Sequence, residues 1–273
     1  MTDHPERSEG SLKEQLVMNQ TINKIQRGFS KSANAYDRYS SLHREIADKL
    51  FGQVIKEPTP SALLDVGCGT GYLTAKIKDH WPQSRIVGLD FSSGMIDVAS
   101  SKHDGISWVL GDSNNLPFTD EYFDILISNL AYQWAGDLSG AFAEARRVLV
   151  PNGVLACTLF GFYTCQELFQ SLDEAKSGAL YFNRLPDVAQ VRQALATSGF
   201  KNYIVDCEKI KISFNNMQAL MIWLKSIGAN NLSREGYLGR EVITRAAAIY
   251  RKRFTYLQGV GATFEVIQVY VKR

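Results

Sequence analysis

The chain has 273 residues, enough for one large domain or for a domain carrying a lid. Hydrophobic residues make up 45% of it, so a sizeable core can form and general disorder is not expected. The formal charge of +2 is too small to argue for nucleic acid, and no apolar run approaches the roughly 20 residues of a membrane helix.

Residues 1–10 are polar, lack an apolar leader segment and read as a frayed tail. Residues 20–57 are helical in pattern. Ile22, Ile25 and Phe29 lie at helical spacing, and Leu42, Ile46, Leu50 and Val54 repeat every four residues. Between them, 30–41 is polar and carries Tyr36 and Tyr39; Pro58 and Pro60 close the region. An alternation follows. Strands are expected at 63–66, at 85–89 ending on Asp90, at 106–110 ending on Gly111-Asp112, and at 123–128 ending on Asn129. Helices are expected at 72–80, 94–101 and 137–149, the last capped by Asp137. Pro151-Asn152-Gly153 reads as a turn before a strand at 154–160. Then come helices at 167–176 and 187–197, a strand at 204–214, helical segments at 217–227 and 240–254, and a last strand at 263–271.

This alternation predicts an α/β fold with a doubly wound, mostly parallel sheet. Four parts are expected: an N-terminal tail and helical cap (1–57), an α/β core (58–214), a helical insertion acting as a lid (215–258), and the last core strand (259–273). In such sheets ligands sit outside the carboxyl ends of the strands, where the strand order reverses.

Cys68, Cys157, Cys165 and Cys207 share no CxxC or metal-type spacing, which suits reduced thiols in a cytoplasmic protein. His4, His43, His80 and His103 are scattered, and no metal site is expected.

The stretch Ala62-Leu63-Leu64-Asp65-Val66-Gly67-Cys68-Gly69-Thr70-Gly71 is a buried strand running into a glycine loop. A loop for a pyrophosphate prefers GxGxxG, whereas Gly67, Gly69 and Gly71 are spaced GxGxG. Asp65 decides the sign of the ligand. A carboxylate there repels a pyrophosphate and attracts an ammonium or a sulfonium. S-adenosylmethionine carries both cations and no phosphate. Asp90, 19 residues after Gly71, suits the two ribose hydroxyls, and Asp112 suits the adenine amino group. Singly, each aspartate reads as a helix cap or loop residue; three at consecutive strand ends read as a site.

Asp65-Val66-Gly67-Cys68-Gly69-Thr70-Gly71, Asp90 and Gly111-Asp112 resemble the motifs of class I S-adenosylmethionine-dependent methyltransferases, with their Rossmann-like core, over residues 60–160. Ser128-Asn129-Leu130-Ala131-Tyr132-Gln133-Trp134, Leu224-Lys225-Ser226-Ile227-Gly228-Ala229-Asn230-Asn231 and Phe29-Ser30-Lys31-Ser32-Ala33-Asn34-Ala35-Tyr36-Asp37 resemble the malonyl-[acyl-carrier protein] O-methyltransferases, over residues 20–271. That resemblance implies methyl transfer from S-adenosylmethionine to the free carboxylate of malonyl on acyl carrier protein. The products would be S-adenosylhomocysteine and the ester that opens the pimeloyl branch of biotin synthesis. Nucleic acid and membrane are not expected partners.

Asp65, Gly67, Gly69, Gly71, Asp90, Asp112 and Asn129 are the expected cofactor residues. Tyr36, Tyr132, Gln133 and Trp134 are the expected acceptor walls, although Tyr36 also fits a packing role and Tyr132 and Trp134 a core role. No general base is required, because the acceptor carboxylate is already ionised at neutral pH. An arginine would suit its second oxygen. Arg146 and Arg147 read as helix-packing residues, which leaves Arg184, Lys225 and Arg240 unranked. Arg240, Arg245, Arg251, Lys252 and Arg253 form a basic helix that could dock an acidic carrier protein or simply face solvent. Two alternatives stay open: a methyltransferase for a small free acid such as aconitate, and a non-catalytic cofactor-binding partner subunit.

Overall fold

The computed structural model describes residues 6–176, 185–229 and 239–273, with side chains from residue 23 onward. A long helix α1 (Glu6–Tyr39) opens the chain, and α2 (Ser41–Val54) follows after Ser40. The polar stretch 30–41 is therefore helical apart from Ser40. Ala33 is buried against Met95 and Val98, with Phe29 and Tyr36 packed beside it, so one narrow apolar stripe carries the helix across. Residues 6–10, read as a tail, are its first turns; residues 1–5 lie outside the described residues.

The strands are β1 (Ala62–Val66), β2 (Arg85–Asp90), β3 (Ser107–Leu110), β4 (Phe123–Asn129), β5 (Leu149–Phe160), β6 (Ile204–Phe214), β7 (Thr255–Tyr256) and β8 (Gly259–Lys272). The further helices are α3 (Tyr72–His80), α4 (Ser93–Lys102), α5 (Leu138–Val148), α6 (Gln166–Lys176), α7 (Val188–Thr197), α8 (Met217–Ser226) and α9 (Arg240–Arg253). Local chemistry sets several boundaries. Asp137 caps α5 by accepting from Ser139 N–H, and Asp187 with Gln190 forms a capping box on α7. The expected turn at 151–153 lies inside β5. Asn152 has φ +65, and the backbone of 152–153 bonds to Arg273, so a kinked strand stays paired.

The strand order is β3-β2-β1-β4-β5-β8-β6, with β7 on β8. β1 to β5 pair in parallel, and β8 runs antiparallel between β5 and β6. Alternate residues of each strand feed opposite layers. Leu64, Leu126 and Leu155 pack with Phe142, Ala145 and Val191 from α5 and α7. Leu63, Ile125, Ile127 and Ala156 pack with Ala47, Leu50 and Ile77 from α2 and α3. Leu63 and Leu64 are both fully buried, each contributing about 1.5–3 kcal/mol. A third cluster joins α6, α8 and α9 over Phe264 and Val266 of β8. The order reverses between β1 and β4, so a crevice opens where Gly67, Asp90 and Asn129 end or follow their strands.

Candidate active site

The glycine loop is pinned to the next strand: Gly67 and Cys68 N–H both donate to Leu89 O, at 2.7 and 3.0 Å. Gly67 has φ +74, and a Cβ there would lie 2.1 Å from Ala131 Cβ, so no side chain fits. Gly69 has φ +54 and open space beside it, which leaves its backbone bare toward the cleft. Gly71 does not line the cleft. It caps α3 and backs onto Trp108 and His103, so its part is local packing.

Asp65 is 1% exposed and accepts from Thr74 Oγ1 at 2.6 Å. Burial pushes its carboxyl up to about 7, the Thr74 hydrogen bond works against this, and Asp90 adds to it. A carboxyl that costs this much to ionise is poised for a cation. Asp90 accepts from Gly69 N–H at 2.9 Å and Ser92 N–H at 2.8 Å, and burial raises it to about 6 despite these bonds. Each of its oxygens keeps a lone pair for a ligand. Asp112 lies further along the same cleft and accepts from Asn114 N–H. Asn129 also borders the cleft, but its amide is engaged at both ends. It donates to His43 O at 3.1 Å and accepts from Thr158 Oγ1 at 2.9 Å, tying β4 to α2 and β5.

α1 roofs this cleft. Gln26 Nε2 donates to Phe91 O, Ser30 and Ser92 hydroxyls bond at 2.8 Å, and Phe29 lies edge-on to Phe91 and Trp134. Asp37 accepts from Thr70 Oγ1 at 2.7 Å and pairs with Lys102 at 2.6 Å. Burial pushes its carboxyl up, but the Lys102 and Thr70 bonds prevail and hold it below its ordinary value.

Arg44 completes the end of the cleft beside Asp65, Gly67 and Gly69. Its guanidinium stacks 5.1 Å over Tyr72 and meets Asp37 at 3.4 Å, while Nε is buried without a partner. A buried guanidinium nitrogen and a buried carboxyl at one end of a cleft suit a zwitterionic amino-acid group. Sequence reasoning passed over Arg44. The available signal was a cation set among the four-residue repeat Leu42, Ile46, Leu50 and Val54.

A cavity of about 230 Å³ adjoins the cleft and shares Phe29, Tyr36, Leu130 and Trp134 with it. Its far walls are aromatic, from Phe160, Trp223 and Phe264, and Gln166, Gln170 and Asp173 of α6 edge it. Tyr36, Gln133 and Trp134 line it as expected. Tyr132 does not. It is 1% exposed, packs on Phe142 at a ring distance of 5.1 Å and borders the cleft at Asp90 instead. The reason is local: Leu130 has φ +54, and Tyr132–Trp134 is a single 3₁₀ turn. Residues two apart share a face in a strand but not in a three-residue turn.

Of the basic candidates, Arg147 is held by Glu144, Asp120 and the carbonyls of Leu116 and Phe118, a structural brace. Arg146 lies against Gly199, beyond α7. Lys225 and Arg240 are exposed and absent from the cavity wall, and Arg184 lies outside the described residues. Among the described residues no lysine or arginine lines this cavity.

Residues 64–157 match the family described as Methyltransferase domain. The Bacillus subtilis YcgJ protein superposes with a TM-score of 0.59 at 18% identity, covering 83% of this chain and 98% of that one, a likeness of fold. The malonyl-[acyl-carrier protein] O-methyltransferase of Hahella chejuensis is 34% identical over 250 residues, 89% of this chain and 88% of its own length. That of Geobacter sulfurreducens is 32% identical over 92% of this chain and 98% of its own length. The protein is thus a methyltransferase, and the chain belongs to the malonyl-[acyl-carrier protein] O-methyltransferase family.

Proposed function

We propose that the protein methylates the free carboxylate of a malonyl thioester on acyl carrier protein, using S-adenosylmethionine, in the step that opens pimeloyl synthesis for biotin. The observation that carries this reading is the largely aromatic cavity meeting the cofactor cleft at Tyr36 and Trp134.

The cleft residues fit the cofactor. Asp65 takes the ammonium, and Arg44 takes the carboxylate through its unpartnered Nε. Asp90 takes the ribose hydroxyls and Asp112 the adenine amino group, while Gly67 and Gly69 let the backbone close in. Asn129 and Gly71 act one step back, Asn129 tying β4 to α2 and β5 and Gly71 starting α3. When bound, S-adenosylmethionine supplies a methyl group on a positively charged sulfur.

The cavity favours a carboxylate acceptor. Burial drives His43 down to about 4, too weak a base to take a proton from an alcohol or an ammonium. A carboxylate needs no base. With no base to supply, alignment of the acceptor against the methyl group is the main source of rate, and the aromatic walls help to hold it. Aconitate would bring three carboxylates to a wall where no described residue is cationic; malonyl brings one. The methyl ester then hides a charge that apolar tunnels of chain-elongating enzymes would exclude.

α8 supplies Trp223 and Leu224 to the cavity, and Trp223 Nε1 donates to Tyr39 O at 2.8 Å. In this reading α1 and α8 close the site over the core strands.

Malonyl carrier protein, malonyl coenzyme A and free acids, assayed side by side with the cofactor, test this reading. Methyl ester is expected on the malonyl thioesters. Turnover of free acids alone would overturn the substrate, and tight cofactor binding without turnover would indicate a partner subunit. Expression in a strain lacking the malonyl methyltransferase should restore growth without biotin.

A further inference from the structure

The acceptor cavity has an unexplained polar group. His43, in the first turn of α2, has its ring packed between Tyr36 at 5.8 Å, Phe160 at 5.6 Å and Trp223 at 5.9 Å. Its Nδ1 is buried and has no hydrogen-bond partner. Its backbone carbonyl accepts from Asn129 Nδ2, which fixes the residue to the end of β4. His43 lines the acceptor cavity and also the end of the cleft formed by Asp65 and Arg44, so it stands where the two spaces meet. A buried imidazole nitrogen without a partner costs about 1–3 kcal/mol, and that cost is relieved once a ligand occupies the nitrogen.

We infer that His43 is the acceptor ligand, an uncharged imidazole that donates an N–H to the carboxylate oxygen not receiving the methyl group. The inference rests on the proposed carboxylate acceptor and adds the residue that holds it. In the transfer, a lone pair of the other carboxylate oxygen forms the new C–O bond. The methyl–sulfur bond breaks with its electron pair going to sulfur, the two charges cancel, and no proton moves.

Physical chemistry explains why an uncharged donor serves better than a cation. The acceptor loses its negative charge on the way to the ester. A lysine or arginine on it would stabilise the starting carboxylate more than the transition state and would slow the step. A neutral N–H orients the carboxylate at smaller cost. It also binds the product's carbonyl only weakly, so the ester leaves. The absence of lysine and arginine from the described cavity wall agrees with this. Burial keeps the ring uncharged at neutral pH; its ring contacts are aromatic, from α1, β5 and α8, and Asp37, Arg44 and Asp65 line the cleft end that it also borders.

The test compares His43→Phe, which keeps ring packing and removes both nitrogens, with His43→Gln, which keeps a donor. KM and kcat are measured with malonyl coenzyme A, cofactor affinity by calorimetry, and Tm alongside. His43→Phe is expected to raise KM for malonyl coenzyme A at least tenfold. Its cofactor Kd should stay within twofold and its Tm should not fall. His43→Gln should stay within about threefold of the parent KM. An unchanged KM in His43→Phe, or a KM and cofactor Kd that rise together, would overturn the assignment. If the parent methylates another carboxylic acid and no malonyl thioester, the substrate proposal fails. The same comparison on that acid then decides His43 separately. If no acid is turned over, an imidazole 15N shift at His43 on adding malonyl coenzyme A with S-adenosylhomocysteine decides it, and no shift overturns it.

Discussion

Asp65 is the residue at which chemistry and stability oppose each other. Its folded pKa, raised to about 7 mainly by burial, lies above the ordinary carboxylate value, so the folded state holds a proton that the unfolded chain releases. Stability of the cofactor-free protein therefore falls as the pH rises from about 4 toward 7, at about 1.4 kcal/mol per unit while that difference lasts. Asp65→Asn keeps an acceptor for Thr74 and removes the charge. It should raise the cofactor-free Tm at pH 8 by about 3 °C or more. The gain should shrink as the pH is lowered to 5, and S-adenosylmethionine binding should be lost. A lower Tm at pH 8 with binding retained would remove Asp65 from the ammonium site. Its location was legible from its place before three glycines, because a strand end fixes which side of a sheet a residue serves. Tyr132 was not legible in this way. One positive φ at Leu130 changed the local period and turned its ring toward Phe142.

Among the elements, α1 departs most from its sequence pattern. Its apolar stripe is narrow, and a polar run suggested a link between two helices. The helix persists because the cleft edge and α8 supply what the stripe lacks: the Gln26, Ser30 and Asp37 bonds on one side and the Trp223–Tyr39 bond on the other. Gly228 couples the two helices. It follows α8 with φ +80, and an added Cβ would meet Phe29 Cδ1 at 2.7 Å. Gly228→Ala should cost about 1–2 kcal/mol in backbone strain and push Phe29 off Trp134. A lower Tm and a several-fold higher KM for S-adenosylmethionine are expected. A lower Tm with an unchanged cofactor KM would separate Phe29 from the roof.

At the scale of the whole molecule, the proposed acceptor would arrive on a carrier too large for a 230 Å³ cavity, which would extend recognition to the outer surface. Arg251 and Lys252 are exposed at the end of α9, Arg253 pairs with Glu174, and Arg245 approaches Glu241. If α9 meets an acidic carrier protein, KM for malonyl carrier protein should rise with ionic strength between 50 and 300 mM, about the range over which screening tightens, while KM for malonyl coenzyme A changes little. Equal salt response for both would place the docking face elsewhere.

The sequence by itself determined the sheet, its parallel core and the three carboxylates at the ends of β1, β2 and β3. Those features depend on patterns within a few residues: buried runs, caps, and glycines where the backbone turns left-handed. Tertiary structure alone decided that α1 roofs the cleft, that Arg44 and His43 of α2 line its end beside Asp65 while His43 also reaches the adjoining cavity, that Gly71 backs onto Trp108 and His103, and that Tyr132 lies outside the adjoining cavity. Tyr132 turns on the local φ of Leu130, but the others follow from segments far apart in sequence packing on one another, as Tyr39 does on Trp223 and Gly67 on Ala131. Such contacts leave no periodic mark on the chain, because they are set by what fills the space beside a residue rather than by its neighbours in sequence.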